Sequence, residues 1–369
     1  MSRYTIDELA RWTRVGFTAQ RGNPWWCDNT MAARLGWDQC VWDGPVPLEV
    51  VRNLVTAPKF ATVPLSAVGD VISPDGVTRI DITDSGRVAV VRYDLDDPAI
   101  VGVFSSGYRI HDYEETLLGL TADLIGDPEA ADLGLEIASA GIYGELGQWG
   151  WVQVTLPSTE VAPGFPVAPF MAVTTSHDGT KPTGIRIGGR AIVCDNTHDL
   201  FTLSAVNRAY ARHTAHSLDR LAMIRRTLGL FKGDLTSTIP DTYKMLVETK
   251  VTNDQWNGFV DLHFNRPAEH APSENAPAGA KTAWTRWEAR TAPVNDLWFG
   301  DDPRVAPWHG TALGALQAVN TVKSWGKEPS VSSFARQMNG VTSTGSSSDG
   351  KVMKTLAKVT GEKRLLAMV

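Results

Sequence analysis

Hydrophobic and polar residues alternate along much of residues 60–195, which is the pattern of half-buried β-strands. The stretches VTRIDI and RVAVVRYD flank TDSG, so the pattern predicts a hairpin that turns at TDSG. AIVGVFSS predicts a third strand, and two further pairs are predicted by LEIASAG with WGWVQVTLP and by PFMAVTTS with IRIGGRAIV. DYEETLLGLTADLIG predicts an amphipathic helix. The predicted fold is therefore α+β, with a mainly antiparallel sheet and packed helices, followed by a helical C-terminal region.

After residue 196 the spacing of apolar residues becomes helical. HSLDRLAMIRRTLGLF, KTAWTRWEAR, GTALGALQAVNTVKSW and KVMKTLAKV predict helices, and Thr252 with Gln255 predicts a capping box. RPAEHAPSENAPAGAK predicts a flexible linker, and the Trp-rich stretch before PLEVVRNLV predicts an ordered loop. The predicted organisation is an N-terminal helix and Trp-rich loop region (1–60), an α+β core domain (61–265), a Pro/Ala-rich linker (266–281) and a helical C-terminal region (282–369).

Composition and charge are typical of a soluble globular protein. Of the 369 residues, 43% are hydrophobic and 21% are charged. No apolar run approaches the roughly 20 residues that span a membrane, and the N-terminus has no signal-peptide core. Three cysteines without a CxxC pair predict reduced thiols, so we expect a cytoplasmic protein without a membrane partner. The net charge of −6 means that any nucleic-acid site has to be a local basic patch.

One segment is cationic within this acidic chain. Between residues 207 and 232 only Asp219 opposes a series of basic residues, and Tyr210 lies among them. Arginines for phosphates and aromatic rings for bases are what non-specific single-strand binding requires. The alternative is a solvated helix face whose arginines pair with the many carboxylates. The predicted nucleic-acid-binding residues are Arg186, Arg190, Arg208, Tyr210, Arg212, Arg220, Arg225, Arg226, Trp149 and Trp151.

Tryptophan is the one unusual feature of the composition. The chain has 13 tryptophans, and they fit either packing between elements or stacking platforms for planar ligands. Packing is the favoured interpretation.

Metal-site and catalytic patterns are weak. Cys194, His198, His213 and His216 have loose spacing, so no metal site is predicted. Cys194 with His177 or His213 would form a thiolate–imidazole pair, but nothing in the sequence brings them together. HDGT is typical of a tight turn, with a contact loop for a ligand or subunit as the alternative. Phosphate-binding loops are absent, so no cofactor is expected.

Several stretches resemble a family of phage and plasmid proteins with a domain of unknown function. They are VFSSGYRIHDYEE, ASAGIYGELGQWGWVQVTLP, AVTTSHDGT, AIVCDNTHDL and ARHTAHSLDRL, with weaker matches at NPWW and GTALGALQAVNTV. His198 and His216 depart from the family pattern. The resemblance implies a protein of phage replication or recombination in the host-cell cytoplasm, and it implies no catalytic residue. The shared family-motif residues are Ser176, His177, Asp178, Gly179, Cys194, Asn196, His213 and Thr214.

These observations favour a binding protein over an enzyme. We expect it to bind single-stranded DNA without ATP, to form a homo-oligomer and to promote strand annealing, as phage annealing proteins of similar outline do. One alternative is an enzyme acting on nucleic acid or a nucleotide through a cluster of Cys194, His177, Asp178 and His213. The other is a protein-interaction (host-takeover) factor that docks a partner through the Trp-rich loop.

Overall fold

The computed structural model of the chain describes residues 6–24, 28–126, 133–162, 164–191, 196–198, 208–214, 239–268, 270–325 and 348–368. The fold is α+β, as predicted. The chain forms two compact units. The first comprises Met1–Thr155, Met171–Ile185 and Ala209–Leu230, and the second comprises Leu156–Phe170, Arg186–Arg208 and Phe231–Val369.

The first unit combines short helices with two sheets. Its helices are α1 (Ile6–Arg11), α2 (Thr18–Arg21), α3 (Asn29–Arg34), α4 (Leu48–Thr56) and α5 (Gly119–Ile125), the last of which continues a π-helical turn at Glu114–Leu118. Its strands include β1 (Thr13–Val15), β2 (Phe60–Ser73), β3 (Gly76–Arg92), β4 (Ala99–Ser105), β5 (Glu136–Tyr143) and β6 (Trp149–Thr155). The smaller sheet has the antiparallel order β2-β3-β4.

The larger sheet forms the core of the first unit. In it β1 pairs with β5 and β5 with β6, both antiparallel. Nearly every residue of β5 and β6 is buried, because both faces of these strands are covered. The sheet continues from β6 to β8 (Phe165–Ser176) and β9 (Thr183–Ala191), and β11 (Arg208–Ala211) pairs with β9. Two pairings belong to the second unit: β7 (Thr159–Ala162) pairs antiparallel with the first residues of β8, and β10 (Asn196–His198) with the last residues of β9.

The β2–β3 hairpin turns at residues 74–75, so the predicted turn at TDSG is wrong. TDSG lies inside β3, where the pairing register shifts. Pro64 is opposite Val88 but Leu65 is opposite Asp84, so residues 85–87 have no opposite residue on β2. The Gly86 N–H donates to Asp84 Oδ1 at 2.9 Å, which closes this bulge. Asp and Gly suit a bulge as well as a turn, and only the pairing of the two strands distinguishes them.

The Trp-rich segment contains α3, which the sequence did not predict. Asp28 caps this helix by accepting a hydrogen bond from Met31 N at 2.7 Å. Asn29 Oδ1 accepts from the backbone N–H groups of Cys40 and Val41, both at 3.1 Å, so the loop is held to the helix. Cys40 is disulfide-bonded. The expectation of reduced thiols is therefore wrong at Cys40.

The second unit is mainly helical. Its helices are α6 (Ile239–Glu248), α7 (Asn253–His263), α8 (Ala278–Phe299), α9 (Ala312–Trp325) and α10 (Ser348–Thr360), with 3₁₀ turns at Ala306–Trp308 and Lys363–Met368. Trp256 and Trp298 stack at 4.3 Å in its core. α8 begins inside the predicted linker 266–281, and the helix predicted at HSLDRLAMIRRTLGLF lies outside the described residues. Among the described helices, none is long and apolar enough to cross a membrane.

The predicted capping box of α7 is confirmed. Thr252 Oγ1 accepts from Gln255 N at 3.2 Å, and Gln255 Oε1 accepts from Thr252 N at 2.9 Å. The two bonds satisfy donors that have no partner within the helix.

Candidate functional site

The HDGT stretch forms a tight turn between β8 and β9. Asp178 Oδ1 accepts hydrogen bonds from Thr180 N at 3.0 Å and Thr180 Oγ1 at 2.7 Å. Gly179 has a φ of 69°, and a Cβ there would lie 2.5 Å from the ring of Phe104, so both backbone and space require glycine. Ser176 Oγ donates to Lys181 O at 2.7 Å and accepts from Lys181 N at 3.1 Å. These bonds agree with the interpretation of HDGT as a turn.

Three histidines of the first unit form a buried cluster with two tyrosines. His177 and His111 are each 1% exposed, and His213 is 8% exposed. The rings of His111 and His213 stack at 4.1 Å, and the Tyr108 ring stacks on His213 at 5.1 Å. The Tyr113 ring stacks on His177 at 4.2 Å. We call His111, His177 and His213 the histidine cluster.

Hydrogen bonds fix the orientation of these rings. His213 Nδ1 donates to Arg109 O at 3.2 Å, and His177 Nε2 donates to His111 O at 3.1 Å, since a carbonyl oxygen only accepts. His111 Nδ1 lies 2.6 Å from Thr183 Oγ1, which also bonds to Thr175 Oγ1 at 2.7 Å. His177 Nδ1 is buried without a hydrogen-bond partner.

Burial determines the charge of the histidine cluster. Desolvation lowers the pKa of His111 to about 4, that of His177 to about 3 and that of His213 to about 4. The three rings are therefore neutral at pH 7. A base with so low a pKa is a weak proton acceptor at neutral pH. In the part of the chain that the structure describes, no group of three or more His, Cys, Asp or Glu residues is arranged to hold a metal ion.

Two exposed arginines lie on paired segments beside the histidine cluster. Arg109 N donates to His213 O at 3.2 Å, and Tyr108 forms an antiparallel bridge with Thr214, so the backbone segments that carry Arg109 and Arg212 are paired. Neither guanidinium forms an ion pair with any described residue. Other exposed arginines of this unit do form ion pairs, namely Arg52 with Glu49 at 2.6 Å, Arg79 with Asp70 at 3.6 Å and Arg87 with Asp84 at 3.7 Å.

Tyr210, on β11, is half-buried and lies two residues before Arg212. We call Arg109, Tyr210 and Arg212 the cationic edge. Arg212 and Tyr210 were predicted from sequence, whereas Arg109 was missed because it lies about a hundred residues before the basic segment. Only the strand bridge brings Arg109 to it.

The two predicted stacking tryptophans differ in exposure. Trp149 is half-buried, its Nε1 donates to Asp178 Oδ1 at 3.1 Å, and Lys181 Nζ lies 5.2 Å from its ring centre. Trp151 is 2% exposed, and its Nε1 donates to Ser139 Oγ at 3.4 Å. A ring buried to this extent offers no face to a base, so Trp151 is a core residue and not a stacking platform.

For several other predicted residues the structure describes only the backbone, and for some it describes neither backbone nor side chain. Arg186 and Arg190 lie on β9, and Arg208 lies on the neighbouring β11, with their side chains outside the described part. Asn196 begins β10, and Thr214 is exposed. The remaining residues, Arg220, Arg225, Arg226 and Cys194, lie outside the described residues. Because Cys194 is among them, the Cys/His/Asp cluster is represented only by His177, Asp178 and His213.

A separate pocket of about 550 Å³ lies in the N-terminal part of the first unit. Three half-buried tryptophans line it, Trp12 from before β1 and Trp37 and Trp42 from the Trp-rich loop. Arg11, Arg14, Asp38 and Asn53 provide polar groups on its wall. We call it the tryptophan pocket. The Trp-rich loop was predicted from sequence, but Trp12 and Arg14 were not related to it, because they lie outside the loop and no local pattern connects them with it.

Comparison with known proteins gives one match. No curated protein and no solved structure matches the chain. The family model with the description "Domain of unknown function (DUF932)" matches residues 100–343. The matched segment contains the histidine cluster and the cationic edge, whereas the residues that line the tryptophan pocket precede it.

Proposed function

Because the chain belongs to the DUF932 family, whose description assigns no activity, we propose a function from its geometry. The protein binds single-stranded DNA without ATP, and the cationic edge is part of the binding surface. We further propose strand annealing during phage replication or recombination, in the host-cell cytoplasm. That setting is supported by the motif resemblance alone.

The observation that carries the proposal is that the guanidinium groups of Arg109 and Arg212 are exposed and have no carboxylate partner among the described residues. An arginine already paired with a carboxylate has to exchange that partner for a phosphate, whereas an unpaired one does not. Two arginines on paired backbone segments suit the phosphates of one strand, and the ring of Tyr210, two residues before Arg212, suits a base.

The histidine cluster supports the same surface by positioning it. His213 is bonded to the Arg109 carbonyl and immediately follows Arg212, so one buried ring restrains the backbone at both arginines. Since the cluster is neutral at pH 7, it does not add to the positive charge. Its role in the proposal is structural.

Anisotropy of a labelled oligonucleotide tests the proposal. We expect the double variant Arg109→Gln/Arg212→Gln to bind at least about tenfold more weakly than wild type, since two charge-assisted contacts are lost. The matched control is Arg52→Gln/Arg79→Gln, which removes two exposed arginines that are already ion-paired. Equal losses in both variants, or no binding by the wild type at about 50 mM salt, would show that the cationic edge is not a binding surface.

We also propose that the protein forms a homo-oligomer through the β2–β3 hairpin. Residues directly opposite each other on β2 and β3 lie on the same face of the hairpin. One face holds Ala67, Val71, Ile80 and Ile82, and among residues 67–82 none on this face is charged. The opposite face carries the ion pair of Asp70 with Arg79. β2 is also an edge strand within the described chain, and an edge with an apolar face favours pairing with an identical edge.

Light scattering tests the oligomer. Ile82→Lys should lower the mass to that of a monomer, because it places a charge in the apolar face. Val68→Lys is the control, since Val68 lies on the opposite face and the two side chains are equally exposed, at 56% and 55%. A wild-type monomer at all concentrations would exclude the proposal.

An enzyme remains the second candidate, with less support. The histidine cluster lacks a ring with a pKa near neutrality, and Asp178 Oδ1 is already bonded to Trp149 and Thr180. Neither feature suits general acid–base catalysis at pH 7.

A further inference from the structure

We propose that the tryptophan pocket binds a nucleotide, either a free nucleoside monophosphate or the terminal nucleotide of a strand. The base lies against the tryptophan rings, and the phosphate binds Arg14. This site is separate from the cationic edge and does not depend on it.

The alternation of β1 places Arg14 in the pocket. Thr13 and Val15 are 2% and 3% exposed and face the core, so Arg14 between them faces the other way. β1 is held by antiparallel pairing with β5, which makes this wall rigid. The backbone of Trp42 is held beside β1, since Trp42 N donates to Val15 O at 2.9 Å.

The charge of Arg14 is poorly compensated. Its Nη1 donates to the carbonyls of Arg11 and Thr13 at 2.7 Å and 3.0 Å, but Nε is buried without a hydrogen-bond partner. Desolvation lowers the pKa of Arg14, and the nearby carboxylate of Asp38 opposes this without forming an ion pair. A half-buried guanidinium group with no carboxylate ion pair among the described residues is stabilised by an anionic ligand group, and Arg11 on the same wall adds a second positive charge.

The remaining lining suits a flat heterocycle. Trp12, Trp37 and Trp42 line the pocket and are half-buried. The guanidinium groups of Arg11 and Arg92 each lie 5.9 Å from the centre of the Trp12 ring, so Trp37 and Trp42 are the two rings on which a base would stack. Stacking on indole is available to every base, because every base has a π-face. The amide of Asn53 has no partner among the described residues and can both donate to and accept from a base edge. A volume of about 550 Å³ lies in the usual range for small-ligand sites.

Titration calorimetry of the full chain with AMP and with adenosine tests the assignment. We expect AMP to bind at least about tenfold more tightly than adenosine, since only AMP has the anionic group that Arg14 would bind. Arg14→Gln should remove this preference and leave adenosine binding nearly unchanged. Trp37→Leu should weaken both ligands roughly tenfold, because it removes a stacking surface. Arg34→Gln is the control, an exposed arginine on α3 outside the pocket.

Measurements on the double variant Arg109→Gln/Arg212→Gln distinguish a free nucleotide from a strand end as the ligand of the tryptophan pocket. If the pocket takes a strand end, a 5′-phosphorylated oligonucleotide should bind this variant and be displaced by AMP. If it takes free nucleotides only, AMP binds and the oligonucleotide does not. Equal affinity for AMP and adenosine, or no binding of either up to about 10 mM, overturns the proposal. These results do not depend on whether the cationic edge binds DNA.

Discussion

His111, His177 and His213 stay neutral because their rings are buried and bonded to backbone carbonyls or hydroxyls. Their pKa values of about 4, 3 and 4 lie below the value of about 6.5 that a histidine has in an unfolded chain. Between these limits the unfolded chain binds protons that the folded chain does not. Acidification therefore favours unfolding in this window.

The resulting prediction is a loss of stability between pH 6.5 and pH 4. Each of the three histidines contributes a slope of up to about 1.4 kcal/mol per pH unit in the free energy of unfolding. This stability is fully present above pH 6.5 and falls as the pH is lowered. Denaturant unfolding at pH 7.5, 6 and 5 measures it.

His177→Phe should reduce the histidine part of that slope by about one quarter, because it removes one of four buried histidines with a lowered pKa, the fourth being His263. The ring site of His177 already contacts Phe60 and Tyr113, so an aromatic replacement suits it. His270→Gln is the control, since His270 is exposed. An unchanged slope in His177→Phe would show that His177 is protonated in the folded chain.

Gly141 is a second position where one residue decides local stability. It lies on β5 opposite Trp151 of β6, and a Cβ at Gly141 would overlap the indole ring. Trp151 is buried, so its ring cannot move into solvent. We expect Gly141→Ala to lower the free energy of unfolding by about 1–3 kcal/mol. Gly69→Ala, on the exposed hairpin with nothing near its Cβ position, should be close to neutral in the same thermal or denaturant assay.

At the scale of elements, the sequence predicted a helix end or turn correctly where contacts between residues close in sequence determine it. Thr252 and Gln255 predicted the start of α7, because both partners of the capping box lie within four residues. TDSG was misassigned because a bulge and a turn use the same residues. The long pairing of β2 with β3 decides between them, and that pairing is not local.

The capping box gives a prediction for α7. Thr252→Ala should lower the free energy of unfolding by about 1 kcal/mol, because Gln255 N loses its acceptor. Thr252→Ser keeps the hydroxyl and should retain most of that stability. Denaturant unfolding of the two variants checks the difference, and equal stability would mean that the box does not contribute.

At the scale of the whole molecule, the candidate sites combine segments that are distant in sequence. Arg212 and Tyr210 stood out from sequence because basic residues cluster around them. Arg109 did not, since only its hydrogen bond to His213 relates it to that cluster. The tryptophan pocket was likewise missed, because it joins β1 to a loop of no regular periodicity. The sequence indicated the residue types that a binding surface needs, but it did not indicate which of those residues lie close together in the fold.

The net charge of −6 leads to a prediction for salt dependence. An acidic molecule repels a polyanion overall, so attraction has to come from local contacts. For single strands, the slope of log affinity against log salt is about −0.7 for each phosphate neutralised. Arg109→Gln/Arg212→Gln should therefore make the measured slope less negative by about 1.4. The same slope in variant and wild type would mean that these two arginines contact no phosphate.

The turn of the β2–β3 hairpin is a suitable position for an inserted tag or label. All residues from Val71 to Val77 are exposed, and the two central turn residues, Pro74 and Asp75, take part in no strand pairing. A short epitope or dye-labelled loop inserted between them changes no contact that is buried within one chain. The protein can then be immobilised or labelled at one defined point, which leaves both the arginine surface and the N-terminal cavity free for titration.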